Sequence, residues 1–322
     1  MAEVPLSFAC GLYDRVNALY TGEVKATGID LDFVVVNHPR ILFDNQSKAG
    51  GPAYDSSELS ASEYITRYAA GDRTWVAIPV FPSRLFRHGF IVVNTNKIKT
   101  PRDLNGAKFG VQLYTMTAAV WIRGLLEEEL GADTSSIDWI EGSLSSAMSY
   151  GKASVLPGVS IVTNTSGKTL DELLVEGSID AVIGAETPPS LGKVAHIQRL
   201  FPDVKKEEKQ YYLKHGIFPI MHLVVIRRDI WEKNKHVAKN LFNALNESKN
   251  IALERMRFLS ALRYMLPWLP TELEEIREVF GDDFWPYGLE ENRKTLETLV
   301  RYLFKQGMIK QKLSLDELFV PV

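Results

Sequence analysis

The chain is poor in several features that mark particular classes of protein. Its 322 residues include one cysteine, Cys10, which excludes an internal disulfide and any metal site built from several cysteines. The formal net charge is −3 and no basic tract is present, so nothing indicates a nucleic-acid partner. No apolar stretch approaches the roughly 20 residues needed to cross a bilayer. What remains is the composition of an ordinary globular enzyme or binding protein, with 45% hydrophobic residues.

The amino-terminal residues give an expectation about location. Residues 1–8 lack a basic segment followed by a long apolar run, which predicts that no secretory signal is present. A single cysteine fits a reducing compartment. We therefore expect a cytoplasmic protein without a membrane partner, and the sequence is compatible with a homo-oligomer.

Apolar patterns along the chain predict an α/β fold. Short runs rich in β-branched and aromatic residues alternate with helical patterns, which favours α/β layers with mostly parallel sheets. The predicted strands are Leu6–Cys10, Ile29–Val36, Trp75–Phe81, Phe90–Asn94, Lys108–Gln112, Ile137–Glu141, Ala181–Ala185 and His222–Arg227. The predicted helices between them include Ala61–Ala70, Thr117–Leu130 and Thr169–Glu176.

The last third of the chain is predicted to be mainly helical. Apolar residues recur at helical spacing from Ile230 to about Met265 and from Thr271 to Phe304. Thr271 and Glu274 have the spacing of a capping box. At 322 residues two lobes are the default expectation. Two strands, one at 90–94 and one in 216–229, are interpreted as crossings between lobes. They divide the chain into lobe 1, residues 1–95 plus 213–322 with the C-terminal helices, and an inserted lobe 2, residues 96–212.

The segment from Phe109 to Leu125 predicts an anion-binding site. A short apolar strand ends in a polar turn, and a helix begins at Tyr114 to Thr117. Free backbone N–H groups and the positive end of the helix dipole favour a carboxylate or phosphate there. Tyr114, Thr115 and Thr117 are therefore candidate substrate-binding residues. The alternative is that Thr115 or Thr117 merely caps the helix.

A second segment, Pro82 to Asn94, places two arginines and a histidine just before a strand. Arginine grips a carboxylate through two parallel hydrogen bonds, so Arg84 and Arg87 are candidate carboxylate-binding residues. One of them is expected to be a structural ion-pair partner. His88 is the first candidate for a proton donor, because an imidazole titrates near neutral pH. The alternative is a histidine that is satisfied at the end of a strand.

Further candidates are acidic or aromatic residues near predicted strand ends. Ser57 and Glu58 are placed in a loop after a strand, where Ser57 can bind a hydroxyl or carboxylate and Glu58 can accept a phenolic proton. Glu58 is alternatively a first-turn acid of its helix. Glu186 follows the predicted strand Ala181–Ala185 and can bind a phenolic hydroxyl or orient a histidine; it is alternatively a surface charge. Phe218 is a candidate for packing on a flat ring. His222 is expected to face His88, but no metal-binding spacing supports the metal site that two histidines and a glutamate would suggest, and no metal is predicted.

Taken in order, these segments resemble a known family. The chain resembles the 4,5-dihydroxyphthalate decarboxylases, within the type II periplasmic-binding-protein fold. The resemblance is carried by Tyr13-Asp14-Arg15, Ser57-Glu58-Leu59-Ser60, Phe81-Pro82-Ser83-Arg84 with Phe86-Arg87-His88, Tyr114 through Gly124, and Gly216 through His222. It implies two lobes with a ligand cleft between them. It also implies decarboxylation of a hydroxylated aromatic ortho-dicarboxylate, such as 4,5-dihydroxyphthalate, to a hydroxybenzoate (protocatechuate) and CO2 without a cofactor.

Under this hypothesis the catalytic residues are His88, Arg87 and Glu58. The substrate-binding residues are Arg84, Ser57, Tyr114, Thr115, Thr117, Glu186, Phe218 and His222. The main alternative is a non-catalytic binding protein for a small organic anion, because the same fold predicts the same helix site. An enzyme that makes a pyrimidine or related ring on this fold has no positive support from the sequence.

Overall fold

The fold is described from a computed structural model that covers residues 3–48, 50–145, 154, 156 and 158–322. The strands are β1 (Val4–Cys10), β2 (Ile29–Val35), β3 (Ser56–Ser60), β4 (Trp75–Arg84), β5 (Ile91–Asn94), β6 (Lys108–Val111), β7 (Asp138–Glu141), β8 (Ile161–Thr163), β9 (Ala181–Ile183), β10 (Ile197–Arg199) and β11 (Ile220–Arg227). The helices are α1 (Asp14–Tyr20), α2 (Pro39–Gln46), α3 (Ala61–Ala69), α4 (Thr117–Leu130), α5 (Leu170–Glu176), α6 (Val204–His215), α7 (Arg228–Lys233), α8 (His236–Arg257), α9 (Leu269–Phe280), α10 (Arg293–Lys305) and α11 (Leu315–Leu318).

The chain divides into two compact units. The first contains Met1–Arg84, Ile220–Glu297 and Leu313–Val322, and the second contains Leu85–Pro219 and Thr298–Lys312. The first unit holds a five-stranded sheet in the order β2-β1-β3-β11-β4. The second holds a six-stranded sheet in the order β10-β5-β9-β6-β7-β8. The lobe boundaries expected from the sequence, 95/96 and 212/213, stay a prediction.

Both sheets are mixed, whereas the sequence predicts mostly parallel ones. In the first sheet, β1 runs parallel to β2 and β3, but β11 runs antiparallel to both of its neighbours. In the second, β5 runs antiparallel to β9 and β10, while β6 is parallel to β7 and β9. The antiparallel members are thus the two strands that the sequence interprets as crossings. Such strands do not belong to the repeated strand–helix–strand units that make neighbours parallel.

Ser57 and Glu58 lie inside a strand, so their predicted place in a loop is wrong. They belong to β3, where every residue is buried. β3 lies between β1 and β11, and its polar side chains have partners inside the unit. The Ser56 hydroxyl donates to the Val225 carbonyl (2.7 Å), and the Gln46 amide donates to Ser57 Oγ (2.8 Å). These bonds explain why a polar sequence forms a buried strand.

β4 contains a wide bulge beside β11. Ile78 is paired with Val224, and Ser83 is paired with His222, so residues 79–82 bulge out opposite a single residue of β11. Pro79 and Pro82 lie in this bulge, and proline has no N–H to donate to a ladder. The bulge therefore releases β4 from regular pairing next to His222.

The carboxyl-terminal part is helical, as predicted, but with breaks. Helices α8, α9 and α10 are separated by residues 258–268 and 281–292. The predicted capping box at Thr271 is wrong, because α9 begins at Leu269 and Thr271 Oγ1 donates back to the Trp268 carbonyl. Pro270 lies in the first turn, where its missing N–H costs nothing, so the helix starts before Thr271.

Within the described ranges, no helix is both long and apolar enough to span a bilayer.

Candidate active site

Glu58 and His222 form a hydrogen-bonded pair in the first unit. His222 is paired with Ser60 and Val224 with Glu58, so Glu58 and His222 are diagonal neighbours on one face of β3 and β11. The distance from His222 Nδ1 to Glu58 Oε1 is 2.5 Å. An ionised carboxylate only accepts hydrogen bonds, so Nδ1 carries a proton and donates it to Glu58. The second ring nitrogen, Nε2, is then the one left for other chemistry.

Glu58 is buried and held by several donors. The Tyr13 hydroxyl lies 2.9 Å from Oε1 and 3.1 Å from Oε2, while the Gly11 N–H donates to Oε2 at 3.3 Å. The Cys10 thiol donates to the same oxygen at 3.4 Å. Burial alone raises the pKa of Glu58, but the attraction of His222 and the hydrogen bonds from His222, Tyr13 and Gly11 outweigh it. The pKa of Glu58 therefore lies below its ordinary value, and the group is an anion at neutral pH.

The ring of Tyr13 is fixed from both sides. A Cβ atom on Gly11 would lie 2.7 Å from Tyr13 Cζ, so the ring packs on a backbone that admits no side chain at position 11. On the other side the Arg15 guanidinium lies 4.2 Å from the centre of the Tyr13 ring and 4.6 Å from that of Trp285. Arg15 Nε also donates to the carbonyl of Pro82 in the β4 bulge. Burial, and then the charge of Glu58, raise the pKa of the Tyr13 hydroxyl, which stays a protonated donor.

His222 combines a fixed orientation with partial access to solvent. Its side chain is 16% exposed, whereas that of Glu58 is 1% exposed. The Phe43 ring contacts the imidazole edge to face, with centroids 5.0 Å apart. A histidine that donates through one nitrogen to a buried carboxylate is well suited to hold a proton at the other nitrogen. This pair is the arrangement in the first unit best suited to acid–base chemistry.

His88 lies in the second unit and has a different environment. Its side chain is buried against the rings of Phe201 and Tyr211, with centroids 5.3 and 5.2 Å away. Its Nδ1 is 3.9 Å from Glu208 Oε1 and has no hydrogen-bond partner within the described ranges. Burial lowers the pKa of His88 to about 4, so the imidazole is neutral at pH 7. These surroundings weigh against His88 as a proton donor, a role that stays a prediction.

Arg87 and Glu208 complete this second cluster. Burial raises the pKa of Glu208 to about 7, although it accepts backbone hydrogen bonds from Gly89 and His88 and is attracted by Arg87. Burial lowers the pKa of Arg87 to about 10, so it remains a cation. Arg87 Nη1 is 3.4 Å from the Ala185 carbonyl, a long contact. Glu208 also lines an open depression of about 650 Å³ in the second unit.

Helix α4 begins at Thr117, within the predicted range, but the Tyr114 side chain is packed in the core. Its backbone N–H donates to Glu141 Oε1 at 2.5 Å, so a carboxylate of the protein itself occupies that donor. Its ring packs against Trp139 and lies under the Arg123 guanidinium, 3.6 Å from the centroid. Thr117 is the buried first residue of α4. These contacts weigh against binding by the Tyr114 side chain and leave the N–H groups near Thr117 as the candidate.

The remaining predicted residues are distributed over both units. Arg84 is buried in the first unit and donates to the Pro286 carbonyl at 3.2 Å. In the second unit, Thr115 is half-buried in the turn before α4, and Glu186 is exposed at 3.5 Å from the Gln112 amide nitrogen. Phe218 stacks on Phe86 with ring centroids 4.8 Å apart. Their proposed roles in substrate binding stay predictions.

Sequence reasoning gave no site role to two residues that these clusters depend on. Tyr13 was interpreted only as part of a loop after β1, since nothing in its spacing indicates that it contacts Glu58. Glu208 belongs to the charged run Lys205–Lys209, which is typical of a solvated surface, yet its side chain is only 21% exposed. Glu208 lies three positions before Tyr211, the buried residue of α6, so the two side chains share one side of the helix. This spacing is the signal in the sequence that Glu208 lies on the packed side.

No group of three or more His, Cys, Asp and Glu side chains in the described part of the chain could hold a metal ion. Each cluster offers instead one imidazole, one carboxylate and nearby donors, which suits proton transfer and anion binding.

Comparison with known proteins shows what the chain is similar to. No protein-family model matches the chain. Over 325 residues it is 36% identical to a 4,5-dihydroxyphthalate decarboxylase of Comamonas testosteroni, covering 100% of this chain and 98% of that protein. A 4,5-dihydroxyphthalate decarboxylase of Pseudomonas putida is 38% identical over 191 residues, which are 58% of this chain and 73% of that protein.

Solved structures identify the fold. The periplasmic aliphatic sulphonate-binding protein of Escherichia coli matches with a TM-score of 0.51 and 13% identity, covering 99% of this chain and 93% of that one. The predicted periplasmic-binding-protein-like fold is thereby confirmed. By the identity that spans its whole length, the chain belongs to the 4,5-dihydroxyphthalate decarboxylase family.

Proposed function

We propose that this protein is a carboxy-lyase that converts 4,5-dihydroxyphthalate into 3,4-dihydroxybenzoate and CO2. Its membership of the decarboxylase family supports this reaction. The observation that carries the proposal is the 2.5 Å hydrogen bond between His222 Nδ1 and the buried Glu58 carboxylate. It gives the first unit an oriented acid–base pair with one partly exposed ring nitrogen.

The reaction exchanges a carboxylate for a proton. A hydroxyl para to the ring carbon that bears the leaving carboxylate donates electron density, so this carbon can accept a proton and the hydroxyl stabilises the protonated ring. The bond between that carbon and its carboxylate then breaks, and CO2 leaves. The bonding electron pair returns to the ring and restores the aromatic product. The protein must supply this proton and hold the substrate in position.

We propose His222 as the proton donor, acting through Nε2. Glu58 accepts from Nδ1 and stabilises the imidazolium form by its negative charge, as a carboxylate does when it orients a catalytic histidine. Tyr13 and Gly11 keep Glu58 ionised by donating to it. The His88 ring has no such hydrogen-bonded anion at Nδ1 within the described ranges, since Glu208 Oε1 lies 3.9 Å from this nitrogen. This difference supports His222 over His88.

The candidates for carboxylate binding are cations and backbone donors. Arg84 is proposed for the first unit, and Arg87 with the N–H groups near Thr117 for the second. Thr115, Glu186 and Phe218 are kept as candidates for contacts with hydroxyls and the ring. We propose that Ser57 supports the site without contacting the substrate, because its hydroxyl is buried and accepts a hydrogen bond from the Gln46 amide at 2.8 Å.

Several expectations from the sequence remain proposals. We propose that the reaction needs no organic cofactor, that the protein works in the cytoplasm, and that the two compact units are the predicted lobes. A small aromatic carboxylate is the proposed partner.

The direct test is incubation of the purified protein with 4,5-dihydroxyphthalate. We expect CO2 and 3,4-dihydroxybenzoate to appear in equal amounts, and the His222→Gln variant to lose most of the rate. A parallel reaction with a chelator separates metal-independent turnover from turnover that a divalent ion restores.

Two outcomes would contradict the proposal. Tight binding of hydroxylated phthalates without any turnover would support the anion-binding alternative. Loss of activity with the chelator and its return with a divalent ion would require a metal-assisted reaction in place of the cofactor-independent one.

A further inference from the structure

An apolar segment of the first unit is exposed between α8 and α9. Residues 258–268 contain a run of large apolar side chains whose exposed fractions are about half or more. They are Phe258 (50%), Leu259 (49%), Leu262 (47%), Met265 (101%), Leu266 (57%) and Trp268 (76%). Single exposed apolar residues are ordinary on a protein surface, but six within one segment of eleven residues indicate an interaction site. We call residues 258–268 the apolar segment.

The apolar segment and the α9 region that follows it carry charges of opposite sign. From residue 257 to residue 268 the chain has two arginines, Arg257 and Arg263, and no acidic residue. From 269 to 283 it has six acidic residues and one arginine. On α9 itself Glu274 and Glu278 are exposed and, at i and i+4, lie on the same side of the helix.

We propose that residues 257–283 form an interface with a second copy of this chain. In a two-fold contact each surface meets its own counterpart, so a residue that touches a given position is touched by it in return. Within one copy Asp282 pairs with Arg277 and Asp283 with Lys249. The charges offered to such a contact are the exposed Arg263 of the apolar segment and the exposed Glu274 and Glu278 of α9, and these are complementary between two copies. The apolar segment of one copy, with Arg263, packs against the acidic α9 of the other. Association buries Met265 and Trp268.

The size of this surface agrees with such a contact. A stable dimer of standard size uses roughly 20–30 residues on each side. The stretch 257–283 has about that length, with the exposed apolar residues in its first half and most of the charges in its second. A homo-oligomer was compatible with the sequence, and this surface specifies which residues would form it.

The first test compares oligomeric states by sedimentation velocity over a roughly hundredfold range of concentration. We expect the wild-type chain to dimerise and the Leu262→Asp/Met265→Asp variant to sediment as a monomer. Both residues lie outside helices, and circular dichroism checks that the variant is folded. The matched control is Leu213→Asp in α6, since Leu213 is 65% exposed but lies in the second unit. This control should leave the dimer intact.

The second test exchanges charges. Arg263→Glu should weaken the dimer about tenfold or more, because it places like charges opposite each other. Adding Glu274→Arg and Glu278→Arg to the same chain should restore association, since the pairs are re-formed with reversed sign. A structural defect caused by Arg263→Glu would not be rescued in this way.

Three results would overturn the proposal. One is a wild-type chain that is monomeric at all concentrations, and another is unchanged association of Leu262→Asp/Met265→Asp. The third is failure of the reversed charges to restore the dimer. Binding of the wild-type monomer to phosphatidylcholine vesicles, lost in the double variant, would instead assign the segment to a lipid surface and would likewise overturn the proposal.

Discussion

Two of the histidine–glutamate pairs in this chain, His222–Glu58 in the first unit and His88–Glu208 in the second, differ in how the glutamate is held. In the first unit Glu58 contacts His222 directly, at 2.5 Å, and is stabilised as an anion by Tyr13 and Gly11. In the second unit Glu208 Oε1 is 3.9 Å from His88 Nδ1, and burial raises the pKa of Glu208 to about 7. His222 retains 16% exposure, whereas His88 is enclosed by aromatic rings.

The comparison shows that sequence neighbours are a weak guide to acid–base function. His88 is the first candidate from the sequence because an imidazole titrates near neutral pH, but its charged sequence neighbour is Arg87, and a cation does not stabilise an imidazolium. A proton at His222 is supported by a hydrogen-bonded carboxylate 164 positions away in the sequence. The direct contact, rather than the motif, is what distinguishes His222 from His88 as the proposed proton donor.

The largest expected effect separates the two histidines. We expect His222→Gln to lower kcat by about 1,000-fold, because a lost general acid typically costs 100- to 10,000-fold. His88→Gln should lower kcat by less than about tenfold, since a buried neutral imidazole gives up no proton. The measurement is initial rates of product formation at saturating 4,5-dihydroxyphthalate. Circular dichroism and binding of unreactive phthalate serve as controls for folding. The reverse order of effects would return the donor role to His88.

The second largest effect concerns Glu58. We expect Glu58→Gln to lower kcat by about 100-fold or more, since a neutral amide stabilises no imidazolium and can hold the ring in the wrong tautomer. Glu208→Gln is the matched control, because it makes the same change beside the other histidine. It should change kcat only slightly. Equal losses in the two variants would show that the two carboxylates contribute alike.

A smaller effect is expected at Tyr13. Tyr13→Phe removes a donor to Glu58, so the pKa of Glu58 should rise. In the proposed mechanism activity requires ionised Glu58, so the acid limb of the pH–rate profile should move to higher pH by about one unit, as expected for a hydrogen bond to a charged group. The loss of rate at pH 8 should be small. An acid limb that does not move would contradict the view that Tyr13 keeps Glu58 ionised.

The smallest effect is one on stability and tests the second cluster. The pKa of His88 falls from 6.5 to about 4 on folding, so the unfolded chain binds its proton more tightly and stability rises with pH from about 4 to 6.5. The pKa of Glu208 rises from 4.5 to about 7, so stability falls as pH rises from about 4.5 to 7. The two contributions oppose each other in the wild-type chain.

Single variants should therefore expose opposite slopes. Between pH 4.5 and 6.5, Glu208→Gln should gain roughly 2 kcal/mol of unfolding free energy relative to its value at the lower pH, and His88→Gln should lose a similar amount. Urea unfolding at several pH values measures both. Parallel curves for the wild-type chain and the two variants would contradict the environments described for His88 and Glu208.

Much of the fold follows from local patterns. The predicted strands and helices differ from the observed ones mostly by one or two residues at their ends, and α4 has its predicted bounds. The directions of the strands could not be predicted from local patterns, because β5 and β11 are antiparallel to neighbours that are distant in the sequence. The strand Ser56–Ser60 was missed because its polar side chains are satisfied by Gln46 and the Val225 carbonyl, partners that no local pattern reveals.

The candidate site could be predicted only in part, because the contacts that form it also join residues distant in the sequence. Glu58 and His222 were both named from the sequence, but their contact depends on the register of β3 and β11, which composition does not encode. Tyr13 acts through a hydroxyl that reaches Glu58 across 45 residues of sequence. Glu208 was concealed by a charged run that is typical of surfaces. Residue types could be predicted, but the partners that set their charge could not.

The close approach of Gly11 to Tyr13 has a consequence for altering the substrate range of this protein. Because any side chain at position 11 would displace the ring whose hydroxyl supports Glu58, positions 11 and 13 are not independent variables. A mutant library that randomises one of them alone would consist largely of members with a misplaced phenol. Diversity is better introduced where the backbone leaves space, with these two positions held constant or varied jointly.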